Sequence, residues 1–447
     1  MLTIRPRTLA MVLAAAAAGI APISCTSAPN ASASPRAVAR PATAMRGLFV
    51  TRWDFQSPQD VTRIVEQARD AGFTDIFWQV RGQSDAFYQS DLEPRGEIPG
   101  ADPTDFDPLA EAIQRAGASG LRLHAWINVL PLWHGPVPPR NRTHLRTAHP
   151  EWRLTDPDGI PVRTRDGYEL LNPVRPEVRA HLASVVADIV SRYPIDGVCF
   201  DALRLPAGPG DAVSRRLFAT ENAEALGAGE DRSIVMDRWI DDSMERLVSG
   251  LATAARDARP ALPVSIVISG ASPQLAAAQH QRGAEWAASR LCDRLIVLST
   301  ADTPETTARV ESDWSAALGK TATLVTAAIV PSAGVDPARF EAQLDAITAR
   351  QDAILFGYAS IFESADLAVP RDVRAVAVRA ARRDAVVRRW APAPKPAEPA
   401  PRLDEVKGVP PKAAEKQDGP AQDEPPADRK PADEPAPAED ESGGGEG

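Results

Sequence analysis

Cysteine is scarce in this chain, with 3 residues among 447, too few for a disulfide framework. Cys199 and Cys292 fall inside apolar segments, and their spacing matches no metal motif, so both read as buried thiols. Aromatic residues make up only 5% of the chain, and none occurs between residues 391 and 447. No glycine-rich phosphate fingerprint follows the first β-rich segment, which argues against a dinucleotide-binding sheet. There is no Gly-x-Ser-x-Gly elbow and no convincing Cys/His pair, which argues against serine or thiol hydrolysis. The six histidines include His134, His144 and His149, whose irregular spacing without a cysteine or paired acid is not that of a metal site. No metal and no cofactor is expected. Basic residues form no stripe of the kind nucleic acid requires, so no nucleic-acid partner is expected.

Long apolar runs are also missing. The longest, residues 9–23, follows a basic start with Arg5 and Arg7 and is shorter than the about 20 residues a membrane span needs. That pattern reads as a secretory signal. The run stops at Ser24-Cys25, where a bacterial lipoprotein carries its lipidated cysteine. Pro22 departs from the usual Leu or Val at its place, and an ordinary cleavage near Ala31-Ser32-Ala33 is the alternative. Residues 1–25 are therefore expected to direct export to the periplasm or cell envelope, with Cys25 the candidate lipid anchor to the membrane.

Residues 26–43 are rich in Ala, Ser and Pro and read as a spacer. Residues 391–447 hold 13 of the 42 prolines, with 14 acids against 7 bases. So polar a segment cannot bury enough apolar surface to offset its ordering entropy, and disorder is expected. Most of the net charge of −10 lies there, leaving residues 44–390 near neutral.

Within residues 44–390, short apolar segments alternate with amphipathic ones. Strands are expected at 46–51, 74–80, 121–129, 195–200, 263–269, 291–298, 321–329 and 352–358. Helices are expected at 58–71, 107–118, 176–193, 231–258 and 370–390, two of them with proline in the first turn. Eight strand–helix repeats point to an α/β fold, a (β/α)8 TIM barrel with a long loop after the third strand. An open doubly wound sheet shares that rhythm. In a barrel, chemistry gathers where the strands end. Those ends carry Arg52, Trp53 and Asp54, then Arg81, Asp85, Tyr88, Asp91 and Glu93, then His124, Trp126 and Asn128. The long loop adds Trp133, Trp152 and Asn172. Asp201 and Arg204 follow the fourth strand, Asp302 the sixth and Glu363 the eighth. Carboxylates supply acid, base or nucleophile in glycoside cleavage, and aromatic faces stack on sugars.

Asp201 is the first candidate for a catalytic carboxylate and Asp85 the second; Glu93, Asp302 and Glu363 are weaker partners. Capping of local backbone is the competing role for each loop acid. Asp196 precedes its strand and is expected at the opposite rim, in a turn with Gly197. His124, Trp126 and Asn128 share one strand face, which either opens to the mouth and holds a sugar or packs the interior.

The phrases RGLFVT (46–51), VRGQSDAFYQSDLEP (80–94), DPLAEAIQRAGASGLRLHAWIN (107–128), HPEW (149–152), LLNPVRPEVR (170–179) and IDGVCFDALRLP (195–206) occur in order. Together they resemble the glycosyl hydrolase-like 10 family, TIM-barrel proteins of bacterial envelopes. The resemblance implies hydrolysis of a sugar polymer, some relatives acting on peptidoglycan glycan strands stripped of stem peptides. It matches Asp201 to the family's acid after the fourth strand, and Arg81, Asp85, Tyr88, His124, Trp126 and Asn128 to motif positions. Ala202 and Leu205 stand where the family carries an acid or aromatic residues, and Leu298-Ser-Thr-Ala-Asp302 replaces a Pro-x-x-Tyr ending. With Asp201 and Asp85 as catalytic candidates, Trp53, Arg81, Tyr88, His124, Trp126, Asn128, Asn172 and Arg204 are expected to bind a polysaccharide. A glycan-binding barrel without turnover is the alternative. A scaffold that uses the acidic tail to engage basic partners is a third possibility.

Overall fold

The computed structural model describes residues 44–97, 106–270, 272–300, 303–321, 323–331, 336–348 and 352–391. The expected signal with Cys25, the spacer, the acidic tail and Asp302 lie outside the described residues.

Eight parallel strands close a barrel. They are β1 (Arg46–Val50), β2 (Asp75–Arg81), β3 (Arg122–Asn128), β6 (Gly197–Asp201), β7 (Val264–Ile268), β8 (Arg294–Ser299), β9 (Leu324–Ile329) and β10 (Ala353–Phe356). They pair in that order, and β10 pairs back onto β1, Arg46 opposite Ala353. Closure distinguishes the fold from the open sheet that shares its rhythm. Two further strands, β4 (Pro131–His134) and β5 (Tyr168–Leu170), form an antiparallel hairpin inside the long connection after β3. The sequence had read that stretch only as loop.

Strand alternation sorts the side chains. Phe49, Phe77, Trp126, Cys199, Val267, Ile296, Ala328 and Ile354 fill the lumen as a core of their own, and the alternate residues pack outward under the helices. In the lumen Phe49 stacks on Phe77, ring centres 4.5 Å apart, and meets Trp126 edge-on at 5.0 Å. The helices start where capping residues place them. Ser57 caps Pro58–Asp70, Asp107 caps Pro108–Ala118, and Asp372 caps Val373–Trp390, each accepting from a backbone N–H of the first turn.

The N-terminal end of the barrel is held by polar contacts. Arg122 and His124 both bond Asp75, at 2.7 and 2.8 Å. Asp196 accepts from the Leu123 N–H at 2.8 Å, so it lies at the end opposite Asp201, as expected. Closure of the chain is equally specific. The Met45 N–H bonds Asp352 at 2.8 Å, and the Arg46 guanidinium donates to the Trp390 carbonyl at 2.6 Å.

Candidate active site at the C-terminal mouth

Asp201 is the last residue of β6, opposite Asn128 at the end of β3. Its side chain points into the lumen's upper end because Cys199, two residues earlier, is a lumen residue. The carboxylate accepts from the Trp126 indole N–H at 3.1 Å and from the Ala202 N–H at 2.5 Å. Burial pushes the Asp201 carboxyl above the usual carboxylate range, against the pull of the Ala202 N–H, the nearby Arg204 charge and the Trp126 bond. Ala202 follows with φ of 56°, a left-handed conformation that costs a non-glycine residue energy. Asn128 brings a side-chain Oδ1 that is closed to water and unbonded among the described residues.

The rest of the rim comes from several strand ends. Arg204 lies 3.8 Å from Asp166, at the tip of the hairpin connection. Trp53 is half-buried, with the Arg52 guanidinium 4.3 Å over its ring. The Arg52 backbone N–H donates to Gln79 Oε1 at 2.9 Å, and its guanidinium donates to the Tyr168 hydroxyl at 3.3 Å. His134 lies beside Tyr168, ring centres 4.9 Å apart. Asp201, Trp126, Asn128, Arg204 and Trp53 are thus brought to one end of the barrel.

Other expected site residues are placed elsewhere. Arg81 is fully buried and turned away from the mouth. It forms a two-pronged pair with Glu93, both contacts 2.7 Å, and donates to the carbonyls of Asn128 at 2.5 Å and Val129 at 2.8 Å. The cause is a register shift between Gln79 and Arg81, which breaks the two-residue period and aims Arg81 outside the lumen. Glu93 also meets His181 at 3.2 Å. Burial alone would raise its pKa, but Arg81 and His181 outweigh that and hold the carboxyl at about 2. A permanently ionised, paired carboxylate is a poor acid. Tyr88 is buried edge-on against Tyr193, ring centres 5.8 Å apart, rather than lining the mouth.

Asp85 accepts from the backbone N–H of Gly82 at 3.2 Å and of Gln83 at 2.8 Å, so it caps its own turn. His124 lies four residues below Asn128 on β3, about 13 Å down the strand. It stacks on Phe77 and bonds Asp75 at the barrel's far end, which corrects the expectation that it opens to the mouth. Asn172 is fully buried and donates to Asp211 at 3.0 Å and Ser214 at 2.9 Å, tying the long connection to the helix Ala212–Glu221. Glu363 is exposed. His144 bonds the Gln83 carbonyl and His149 stacks on Trp152, and no group of metal-ligating side chains converges among the described residues. Burial raises both thiols, Cys292 to about 12 and Cys199 well above its usual value.

Gln79 and Tyr168 are rim residues that the sequence reading does not name, and Arg52, named there at the end of the first strand, is given no role. Gln79 was within reach, because it lies two places beyond lumen-facing Phe77 on β2. Nothing local marks Tyr168, which arrives from the hairpin 116 positions from Arg52.

Comparison with known proteins places this geometry. The family model described as glycosyl hydrolase-like 10 matches residues 44–329. Glycosyl hydrolase DigH of Escherichia coli K12 is 24% identical over 289 residues, 56% of this chain and 60% of the relative. DigH of Shigella flexneri gives the same figures. The chain thus spans less than two thirds of the length of these curated relatives. Among solved structures, the β-galactosidase from the psychrophilic Marinomonas ef1 aligns with a TM-score of 0.53 at 14% identity, covering 77% of this chain and 58% of that one. The catalytic domain of the β-amylase from Paenibacillus polymyxa aligns at 0.52 and 11% identity, covering 78% of this chain and 100% of that one. At such identities the likeness is one of fold. The family match covers well over half of the chain, including every strand that builds the mouth except β10, and on that ground the chain belongs to the glycosyl hydrolase-like 10 family.

Proposed function

We propose that this protein is a glycoside hydrolase of the bacterial cell envelope that cleaves peptidoglycan glycan strands or a closely related polysaccharide. The observation that carries the proposal is Asp201, a buried carboxyl at the mouth whose pKa burial raises. A carboxyl whose ionisation burial disfavours holds its proton to higher pH than a free one, and a held proton is what the departing glycosidic oxygen needs. Trp126 fixes one carboxyl oxygen and the Ala202 N–H the other, so its orientation is set before substrate arrives. Asn128 and Arg204 flank it to hold sugar hydroxyls. Export through residues 1–25, with Cys25 lipidated, would place the barrel beside such a polymer.

A non-catalytic glycan-binding barrel is favoured by a different observation. Asp85 caps a turn, Glu93 is paired with Arg81, and Glu363 is exposed, so three of the candidate partner acids are committed elsewhere or open to water. One experiment separates the two. The purified protein and an Asp201→Asn variant are incubated with glycan strands, with and without stem peptides, and released sugars are quantified. The hydrolase predicts products from the wild type and a loss of at least about 100-fold in the variant. Binding by both proteins with products from neither would establish the binding barrel instead.

A further inference from the structure

Arg52 is an unusual cation for its surroundings. Its side chain is almost entirely buried, with 2% of the residue exposed. Several other buried or half-buried arginines are answered by an acid, as Arg81 is by Glu93 at 2.7 Å, Arg122 by Asp75 at 2.7 Å, Arg175 by Asp211 at 2.9 Å and Arg294 by Asp352 at 2.9 Å, or by backbone carbonyls at 2.5–2.8 Å, as Arg46, Arg179 and Arg259 are. Arg52 forms no ion pair among the described residues. Among the described residues its side-chain hydrogen bond is the long one to Tyr168, 3.3 Å, and its Nε is shut away from water with no hydrogen-bond partner.

The surroundings are nonetheless built around this guanidinium. Trp53 lies under it at 4.3 Å. A Cβ at Gly82 would stand 2.5 Å from Nη1 and 2.7 Å from the guanidinium carbon, so only glycine leaves the space the group occupies. Gln79 holds the Arg52 backbone at the rim. Gln79 is also the register partner of Trp126, whose indole bonds Asp201. The unpaired cation and the buried acid therefore belong to one rim. Removing a guanidinium from water is costly unless an anion answers it, and a flat guanidinium stacked on an aromatic ring offers its edge to a flat carboxylate.

We infer that Arg52 is the subsite for a carboxylate carried on the sugar polymer, so that the substrate is an anionic glycan. This rests on the proposed glycan-cleaving function, and what it adds is the residue that would recognise a carboxylate on that polymer. The consequence is selectivity. A sugar acid would complete the Arg52 pair, and a neutral sugar would leave it unanswered.

The test uses the full chain and glycan strands freed of stem peptides, either with their carboxylates intact or with the same groups reduced to alcohols. Affinity for each strand type is measured by sedimentation, and product release is measured separately. The wild type is expected to bind the carboxylate strands about tenfold or more tightly, the factor that a charge-assisted hydrogen bond carries. In Arg52→Gln that ratio should fall towards one, and in Arg52→Lys it should be partly kept, with thermal unfolding confirming that each variant is folded. Equal affinity of the wild type for both strand types, or no binding of either, overturns the inference without recourse to any variant. So does a ratio unchanged in folded Arg52→Gln. A carboxylate preference without product would leave this subsite standing while the hydrolase itself fails.

Discussion

Burial at a strand end raises the Asp201 carboxyl above its ordinary range, the direction that the proposed proton donor requires. Burial acts on Asp54 in the same direction. Burial pushes its carboxyl up to about 6, against bonds from Ser364 at 2.6 Å and from Thr51 at 2.8 and 2.9 Å. The folded chain therefore keeps a proton on Asp54 between pH 3.8 and about 6 that the unfolded chain releases. Stability is lost through this group as pH rises across that window, by about 3 kcal/mol at most. Urea unfolding of wild type and Asp54→Asn at pH 4 and pH 7 checks this. The wild type should lose more stability than the variant over the interval, and parallel losses would show that Asp54 does not titrate in this way. Ala202 yields a second prediction at this scale. Ala202→Gly relieves a left-handed φ of 56° and should raise stability by up to about 1 kcal/mol, measured as a rise in Tm. A fall would mean that the conformation carries no strain.

At the scale of elements, the segment after β2 is stitched to its neighbours by charge. Arg81 connects Glu93 to the carbonyls that follow β3, and His181 brings in the helix Pro176–Arg192. Arg81→Met would remove the two-pronged partner of buried Glu93 and leave it His181 at 3.2 Å, and should cost about 3 kcal/mol in denaturant unfolding. Adding Glu93→Leu should recover part of that loss, whereas additive losses would show that the two side chains do not act as a pair. Glu93 also makes the fold acid-sensitive. Its stabilising contribution is present above its ordinary value of 4.5 and is lost as pH falls towards about 2. The hairpin is braced in a similar way, with Arg146, Arg153 and Arg163 all within 3.3 Å of Glu169. That brace presents Tyr168 and Asp166 to the rim.

At the scale of the whole barrel, the ring depends on its first strand meeting the helix Val373–Trp390. The Trp390 carbonyl takes the Arg46 guanidinium, its indole packs edge-on to Phe73 at 5.2 Å, and its N–H reaches Thr348 at 3.2 Å. Gly72 sits directly beneath, at φ of 84°, where a Cβ would lie 1.9 Å from the Trp390 carbonyl oxygen. Gly72→Ala should therefore destabilise the barrel by more than about 2 kcal/mol, and Trp390→Ala by about 3–5 kcal/mol. Thermal unfolding of each variant checks this, and an unshifted Tm would show that closure does not depend on this contact.

The sequence by itself determined the eight-fold alternation of strands and helices and the place of Asp201 at a strand end, while closure of that alternation into a ring came from the tertiary structure. Eight apolar segments at barrel spacing, helix starts at Ser57-Pro58 and Asp107-Pro108, and an aspartate ending the fourth strand are all local patterns. Local patterns are what sequence periodicity encodes, and that is why Asp201 could be placed at the mouth. The tertiary structure decided which other polar residues join it. A one-residue irregularity after Gln79 turns Arg81 out of the rim, depth along β3 carries His124 to the far end, and the turn at Gly82 absorbs Asp85. It also decided that Arg52, ordinary in sequence, is a buried cation facing a tyrosine delivered by the hairpin. The physical reason is that a side chain's partner, and hence its charge state and its freedom to meet a ligand, is set by residues distant in the chain. Periodicity fixes the face a residue occupies and leaves its depth and its neighbours to the packing.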